Sequence, residues 1–307
     1  MIINHVMSNM VYSKIFLDIL NRFKNYSRHT IIVSEKPISN ADVYHYHRIN
    51  LENIESLYYP CLCTVHHDLY DIDKTLSLEL FIDKYKKMNS IVCLNSNQKQ
   101  ILEKYGCKNI KIIPHGYDQN IFVPNHKCSK NKISILVISR RYGRGVKGEA
   151  YLRELLQYLD NSRISFTLVG EDRTKDYNYF SKFGFECNVH EKLPYKSFGS
   201  LYNSHDFLLV TSTFEGGPAN IPEAIATGTP ILATNVGMIP DILEDFNNGI
   251  VLSGNAYLDS IKLNSFFSDE IKIRTLQDNC LKQNNINRAI TWSKNIELYD
   301  DLYEVIK

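Results

Sequence analysis

The chain has 307 residues, 44% of them apolar, enough to fill a core in each of about two domains. Its 35 Lys and Arg stand against 34 Asp and Glu, which excludes a global field able to hold nucleic acid or to keep the whole molecule on an anionic bilayer; any polyanion contact has to be local. Seven cysteines, an odd number without a CxxC pair, read as reduced structural thiols in a cytoplasmic protein. The N-terminus opens on a short apolar run without the basic-then-apolar layout of a signal peptide, and no run approaches the ~18 apolar residues of a membrane span.

Short β-branched runs at 2–7, 30–34, 43–47, 62–66, 90–94 and 110–114 alternate with helical stretches, which predicts a parallel sheet. The helix over 11–23 shows the pattern: Val11, Ile15, Phe16, Ile19, Leu20 and Phe23 recur at helical spacing, with Leu17 the apolar exception. A polar stretch at 125–132 with three lysines reads as a linker, ending a first domain over 1–124. The pattern then restarts at 134–139, 166–170, 207–211, 231–234 and 250–252, giving a second doubly wound domain over 133–285. Open parallel sheets bind ligands beyond the carboxyl ends of their strands, so the site is expected in a cleft between the two halves. The last segment, 286–307, carries Ile290, Trp292, Ile296, Leu298, Leu302 and Val305 in a helical pattern expected to pack back across the domain junction.

Two stretches carry chemistry. The first runs from Thr211 to Gly237: a buried strand, the loop Glu215-Gly216-Gly217-Pro218-Ala219, a helix starting near Asn220 and Ile221 and containing Glu223, a stop at Gly228 and another buried strand. Glycines let the backbone approach a ligand closely, and free amides at a helix start favour anions. One carboxylate can then face a sugar hydroxyl while the other grips a ribose diol. The second stretch is 139–148, Ser-Arg-Arg-Tyr-Gly-Arg-Gly-Val-Lys-Gly, at a strand-to-helix turn. Arginine binds a diphosphate bidentately and lysine as a point charge. Glu223 as a plain helix-start acid and 139–148 as a plain exposed basic loop are the bland alternatives. In the first half, Val65-His66-His67-Asp68 ends a strand, and alternate strand faces let only one of the two histidines point at a ligand. With His45 and His47 they also suggest a metal centre, a reading that leaves both later stretches unexplained.

The two glutamates separated by seven residues, in their Gly-Gly-Pro surroundings, resemble the signature of the retaining GT-B glycosyltransferases of family 4. The resemblance covers most of residues 60–305. It implies an α/β GT-B fold, two Rossmann-like doubly wound domains facing across a cleft, and sugar transfer from a nucleoside diphosphate sugar, a UDP sugar first and a GDP sugar second. Family members carry an Arg and a Lys-Gly pair in the basic turn, matched here by Arg140 and Lys147, with Arg141 or Arg144 able to stand in for Arg140. The resemblance further implies Glu215 on the sugar, Glu223 on the ribose, a histidine of the His66-His67 pair near the donor sugar, and Gly170 and Leu193 beside the nucleotide. No metal cofactor is expected. The implied acceptor is a glycan or lipid-linked sugar in bacterial surface polysaccharide synthesis, and peripheral contact with the inner membrane face is left open. An epimerase or phosphorylase on the same fold and a metal-dependent hydrolase are the competing readings. The first strand departs from the resemblance, since no glycine precedes Gly106 where members carry a glycine-rich loop.

Overall fold

A computed structural model of the protein describes residues 1–7, 14–125, 132–141, 143 and 145–307. The start of the first predicted helix, positions 126–131 of the predicted linker and Arg144 lie outside the described residues. The chain divides into two compact units, one comprising Met1–Gly116, Gly216–Pro218 and Ile290–Lys307, the other Tyr117–Glu215 and Ala219–Ala289.

The first unit is built on six parallel strands, β1 (Ile2–Val6), β2 (Thr30–Ser34), β3 (Val43–Tyr46), β4 (Cys61–Val65), β5 (Ser90–Cys93) and β6 (Ile110–Ile112), in the order β2-β1-β3-β4-β5-β6. Every residue of β3, β4 and β5 is buried, as strands covered on both faces require. Helix α1 (Lys14–Tyr26) turns Ile19, Leu20 and Phe23 inward and leaves Leu17 exposed. It runs three residues beyond the predicted end because the apolar stripe stops at Phe23 while the backbone ladder does not. After α2 (Ile82–Lys86), helix α3 (Ser96–Lys104) is capped by Asn95, whose side chain accepts from the Gln98 amide at 2.9 Å.

The second unit carries β7 (Ile133–Ile138), β8 (Ile164–Val169), β9 (Glu186–His190), β10 (Phe207–Val210), β11 (Ile231–Thr234) and β12 (Gly249–Leu252), all parallel, in the order β12-β11-β10-β7-β8-β9. This is the doubly wound order, with the direction of winding reversing between β7 and β10. Strand β9 is absent from the sequence reading. It is an edge strand with Glu186, Asn188 and His190 exposed and no buried run to reveal it. Around the sheet lie α4 (Glu149–Leu155), α5 (Thr174–Lys182), α6 (Phe198–Asn203), α7 (Asn220–Ala226), α8 (Ile239–Ile242), α9 (Ala256–Phe267), α10 (Glu270–Leu281) and α11 (Gln283–Ile286).

The chain then returns to the first unit as α12 (Trp292–Ile306). The helical pattern expected over 286–306 is broken before Trp292, where the Thr291 hydroxyl accepts from the Lys294 amide and caps the new helix. Within the first unit α12 buries Trp292, Ile296, Tyr299, Leu302 and Tyr303 in one cluster with Ile3, Phe23, Val43, Leu62 and Val92.

Candidate active site

In the second unit the segments leaving β7 and β10 on either side of the strand reversal are 139–141 with 145–148, and 211–215, where a ligand of an open parallel sheet is expected. They are clamped together by backbone. The Thr211 hydroxyl donates to the Lys147 carbonyl at 2.8 Å, and the Thr213 amide donates to the Val146 carbonyl at 2.9 Å. Gly148 sits at φ +73°, and a Cβ there would lie 1.7 Å from the Thr211 carbonyl oxygen. The two chemistry-bearing side chains are thereby brought into contact: Lys147 Nζ donates to Glu215 Oε1 at 2.5 Å, and the same oxygen accepts from the Ser212 hydroxyl at 2.6 Å. Lys147 is 17% and Glu215 9% exposed, so the pair is screened only partly by solvent.

Arg140 lies on the surface with its Nε 3.7 Å from Glu171, and Arg141 is half-buried, 3.5 Å from Asp176. A residue that sequence reasoning missed organises this turn. Arg173, 1% exposed, donates from Nε to the Ser139 carbonyl at 2.7 Å and from Nη2 to the Ser139 hydroxyl, and pairs through Nη1 with Asp176 at 2.9 Å. An arginine in a run of charged residues reads as solvated, and only tertiary burial reveals it. Gly170 follows β8, its amide donating to the His190 carbonyl at 2.9 Å.

Glu223, in the first turn of α7, is 6% exposed. Its two oxygens accept from Tyr195 and Tyr202 at 2.8 and 2.9 Å. Burial, with the Glu223 carboxylate beside it, pushes the Tyr202 phenol well above its ordinary pKa. Asn220 donates to the Ile138 carbonyl at 3.0 Å, tying the start of α7 to β7. Ile221 is buried, Leu193 half-buried and Ala219 exposed.

In the first unit the two histidines after β4 part company. The His67 ring stands edge-on to Phe81 at 5.5 Å, among the apolar side chains on one side of the sheet. The His66 ring turns the other way, stacked 6.0 Å from His115, and its Nε2 meets His47 Nδ1 at 3.1 Å. Gly216, which belongs to this unit, packs on the His66–His67 peptide so closely that a Cβ would lie 2.4 Å from the His66 carbonyl oxygen. Asn95 donates to the Gly216 carbonyl at 2.6 Å, and Gln98 donates to the carbonyls of Val65 and His67 at 3.2 and 2.8 Å. Gly217 lies on Leu94 and His115, and Pro218 is buried. Burial lowers the His66 pKa well below its usual value and those of His67 and His115 to about 4, so all three rings are neutral at pH 7.

Residues 118–298 match the family model described as glycosyl transferases group 1. An Escherichia coli UDP-Gal:alpha-D-GlcNAc-diphosphoundecaprenol alpha-1,3-galactosyltransferase is 24% identical over 272 residues, 80% of this chain and 69% of that protein. An uncharacterized 41.2 kDa protein in the cps region of Klebsiella pneumoniae is 27% identical over 133 residues, 41% of this chain and 36% of its own length. Among solved structures, Anabaena HepE in complex with UDP-glucose superposes with a TM-score of 0.77 at 15% identity, covering 99% of this chain and 100% of that one. A sucrose-phosphate synthase from Thermosynechococcus elongatus superposes with a TM-score of 0.78 at 14% identity, covering 99% and 98%. Both share the fold of two six-stranded parallel sheets with this chain.

Proposed function

Because the chain belongs to the glycosyl transferases group 1 family and is a glycosyltransferase that uses a nucleotide sugar, we propose that it moves a hexose from a UDP sugar, or secondarily a GDP sugar, to a lipid-linked glycan with retention of anomeric configuration. The observation that carries the reading is the Lys147–Glu215 contact beyond the carboxyl ends of β7 and β10. In this reading Lys147 serves the diphosphate and Glu215 a sugar hydroxyl, and their contact keeps the two groups side by side. The choice of UDP is supported by the donor in the name of the E. coli relative and by the ligand of the Anabaena structure. That relative's diphosphoundecaprenol acceptor supports a lipid-linked acceptor here, and hence work in bacterial surface polysaccharide synthesis at a membrane face. No helix among the described residues is long and apolar enough to cross a membrane, so contact with that face would be peripheral.

In this mechanism Glu223 grips the ribose, beside a nucleotide lying along Gly170, Leu193 and the Gly216–Ile221 loop. Glu215 accepts from sugar hydroxyls, and His66 contacts the sugar at the Gly216–Gly217 loop. The bond from anomeric carbon to phosphate oxygen breaks as the acceptor oxygen bonds to the same face of that carbon, and the acceptor proton passes to a phosphate oxygen. Lys147 and Arg140 stabilise the charge that develops on the diphosphate, a role taken here by side chains in place of a divalent ion. The test is incubation with UDP-galactose, UDP-glucose and GDP-mannose, each with a lipid-linked acceptor and a chelator, followed by NMR of the product anomer. Retained configuration with chelator present is the expected result. Inversion, or product only after a divalent metal is added, overturns it, and sugar conversion without acceptor marks an epimerase.

A further inference from the structure

The first sheet has its own winding reversal, between β1 and β3, and its carboxyl end there is filled with imidazoles. His5 pairs in register with His45, and His47 follows two positions on, on the same face. All three are buried. Their nitrogens form a line. His5 Nε2 is 3.3 Å from the Tyr303 hydroxyl, His5 Nδ1 is 2.9 Å from His47 Nε2, and His47 Nδ1 is 3.1 Å from His66 Nε2. A branch leaves Tyr303: its hydroxyl is 2.8 Å from His45 Nδ1, His45 Nε2 is 2.8 Å from the Thr64 hydroxyl, and Thr64 is 3.0 Å from the Tyr299 hydroxyl.

A neutral imidazole has one donor and one acceptor nitrogen, so between His5 and His66 the proton position at any link dictates the others. Two assignments satisfy the line. In one, Tyr299 donates to Thr64, Thr64 to His45, His45 Nδ1 to Tyr303 and Tyr303 to His5. His5 and His47 then donate from Nδ1, and His66 accepts at Nε2 with its own proton on Nδ1. In the other the histidine bonds are reversed, and because a hydroxyl can accept twice the unplaced proton falls on Tyr299, Thr64 or Tyr303, left without an acceptor among the described residues at positions 4%, 3% and 0% exposed. A buried O–H without an acceptor is costly, so the first assignment is favoured. Burial supports the neutral state throughout: the His5 pKa falls to about 3, and those of His45 and His47 lie well below the usual value.

We propose that Tyr303, His5 and His47 form a hydrogen-bonded chain that fixes the proton of His66 on Nδ1, making this ring a permanent donor to an oxygen of the bound sugar. The identity of that oxygen's owner rests on the proposed function; the proton position does not. His5, His47 and Tyr303 are positioning residues, acting through His66. A metal site at His5, His45 and His47, whose ligand atoms lie within 4.8 Å of one another, is disfavoured by geometry. The His45 and His47 rings stack at 4.2 Å and 27°, and His5 and His47 at 23°. Lone pairs in such near-parallel planes do not converge on one ion about 2 Å from each nitrogen, and both nitrogens of His45 already have partners.

The test is two-bond 1H–15N NMR of 15N-histidine-labelled full-length protein at pH 7, with His66 assigned by its loss in His66→Gln. Wild type is expected to show His66 protonated on Nδ1. In His47→Leu the constraint is gone, and His66 is expected to take up the Nε2–H form at least in part, with kcat down about tenfold, as when the partner that orients a histidine is lost, and KM little changed. His47→Gln, whose amide can donate to His66 and whose carbonyl can accept from His5, is expected to restore both. Wild-type His66 protonated on Nε2, or an unchanged tautomer in His47→Leu, overturns the proposal, as does stoichiometric zinc that raises the melting temperature and shifts His5, His45 and His47 together. If His47→Leu does not fold, the wild-type spectrum decides alone. If the protein turns over no nucleotide sugar, the proposed function fails while the NMR result still judges the chain.

Discussion

Lys147 and Glu215 share a bond that sets how each can be probed. Both are largely buried, so removing one takes from the other an ion-pair partner, a cost separate from any catalytic loss. Lys147→Ala is expected to lower kcat by about 100-fold to 1,000-fold, the usual effect of deleting a positioned electrostatic group, and also to lower the melting temperature. Adding Glu215→Gln to that variant removes the carboxylate that has lost Lys147 and is expected to recover part of the stability without recovering turnover. Measured kcat and melting temperature for the two singles and the double separate these effects, and near-normal turnover in Lys147→Ala would refute the assignment. The spacing of Glu215 and Glu223 was legible in the sequence because loop and helix chemistry constrain residue type locally. Arg173, Asn95 and Gln98 were not, because what they hold is backbone 31 to 121 positions away, and polar residues in polar surroundings carry no pattern.

At the scale of elements, the site depends on two loops held at van der Waals limits. Gly148 combines a left-handed backbone with an approach to the Thr211 carbonyl that leaves no room for a side chain. Gly148→Ala is therefore expected to destabilise the second unit by about 2 kcal/mol or more, read as a lower denaturant midpoint at unchanged m-value. An unchanged midpoint would mean that the loop moves freely. Strands β3, β4 and β5 announced themselves as apolar runs because both their faces are buried. Edge strand β9 did not, since three of its five residues face water, and the break before α12 is set by a cap at Thr291 within an otherwise continuous apolar pattern.

At the scale of the whole molecule, six histidines are held neutral by burial: His5 near 3, His67 and His115 near 4, and His45, His47 and His66 well below 6.5. Between those values and 6.5 the unfolded chain binds more protons than the native one, so stability rises with pH across that window and is lost as pH falls. At pH 5 each imidazole that stays neutral costs about 2 kcal/mol relative to pH 8. His5, whose pKa falls to about 3, carries that cost in full, and His45 and His47 act in the same direction, against the roughly 5–15 kcal/mol that holds a domain together. The urea midpoint is expected to fall steeply from pH 7 to pH 5, and a flat profile would show that these rings protonate without unfolding.

The sequence by itself determined the fold class and the kind of chemistry. Alternating buried strands and amphipathic helices admit little besides two doubly wound sheets, and the loops after β7 and β10 must carry particular residue types whatever surrounds them. Only the tertiary structure decided that Lys147 meets Glu215, that His66 and not His67 shares a side with His115, and that His5, 42 positions from His47 in the chain, lies within one hydrogen bond of it. Those relations depend on strand order and on which face each side chain takes, and neither is encoded in any local stretch of residues.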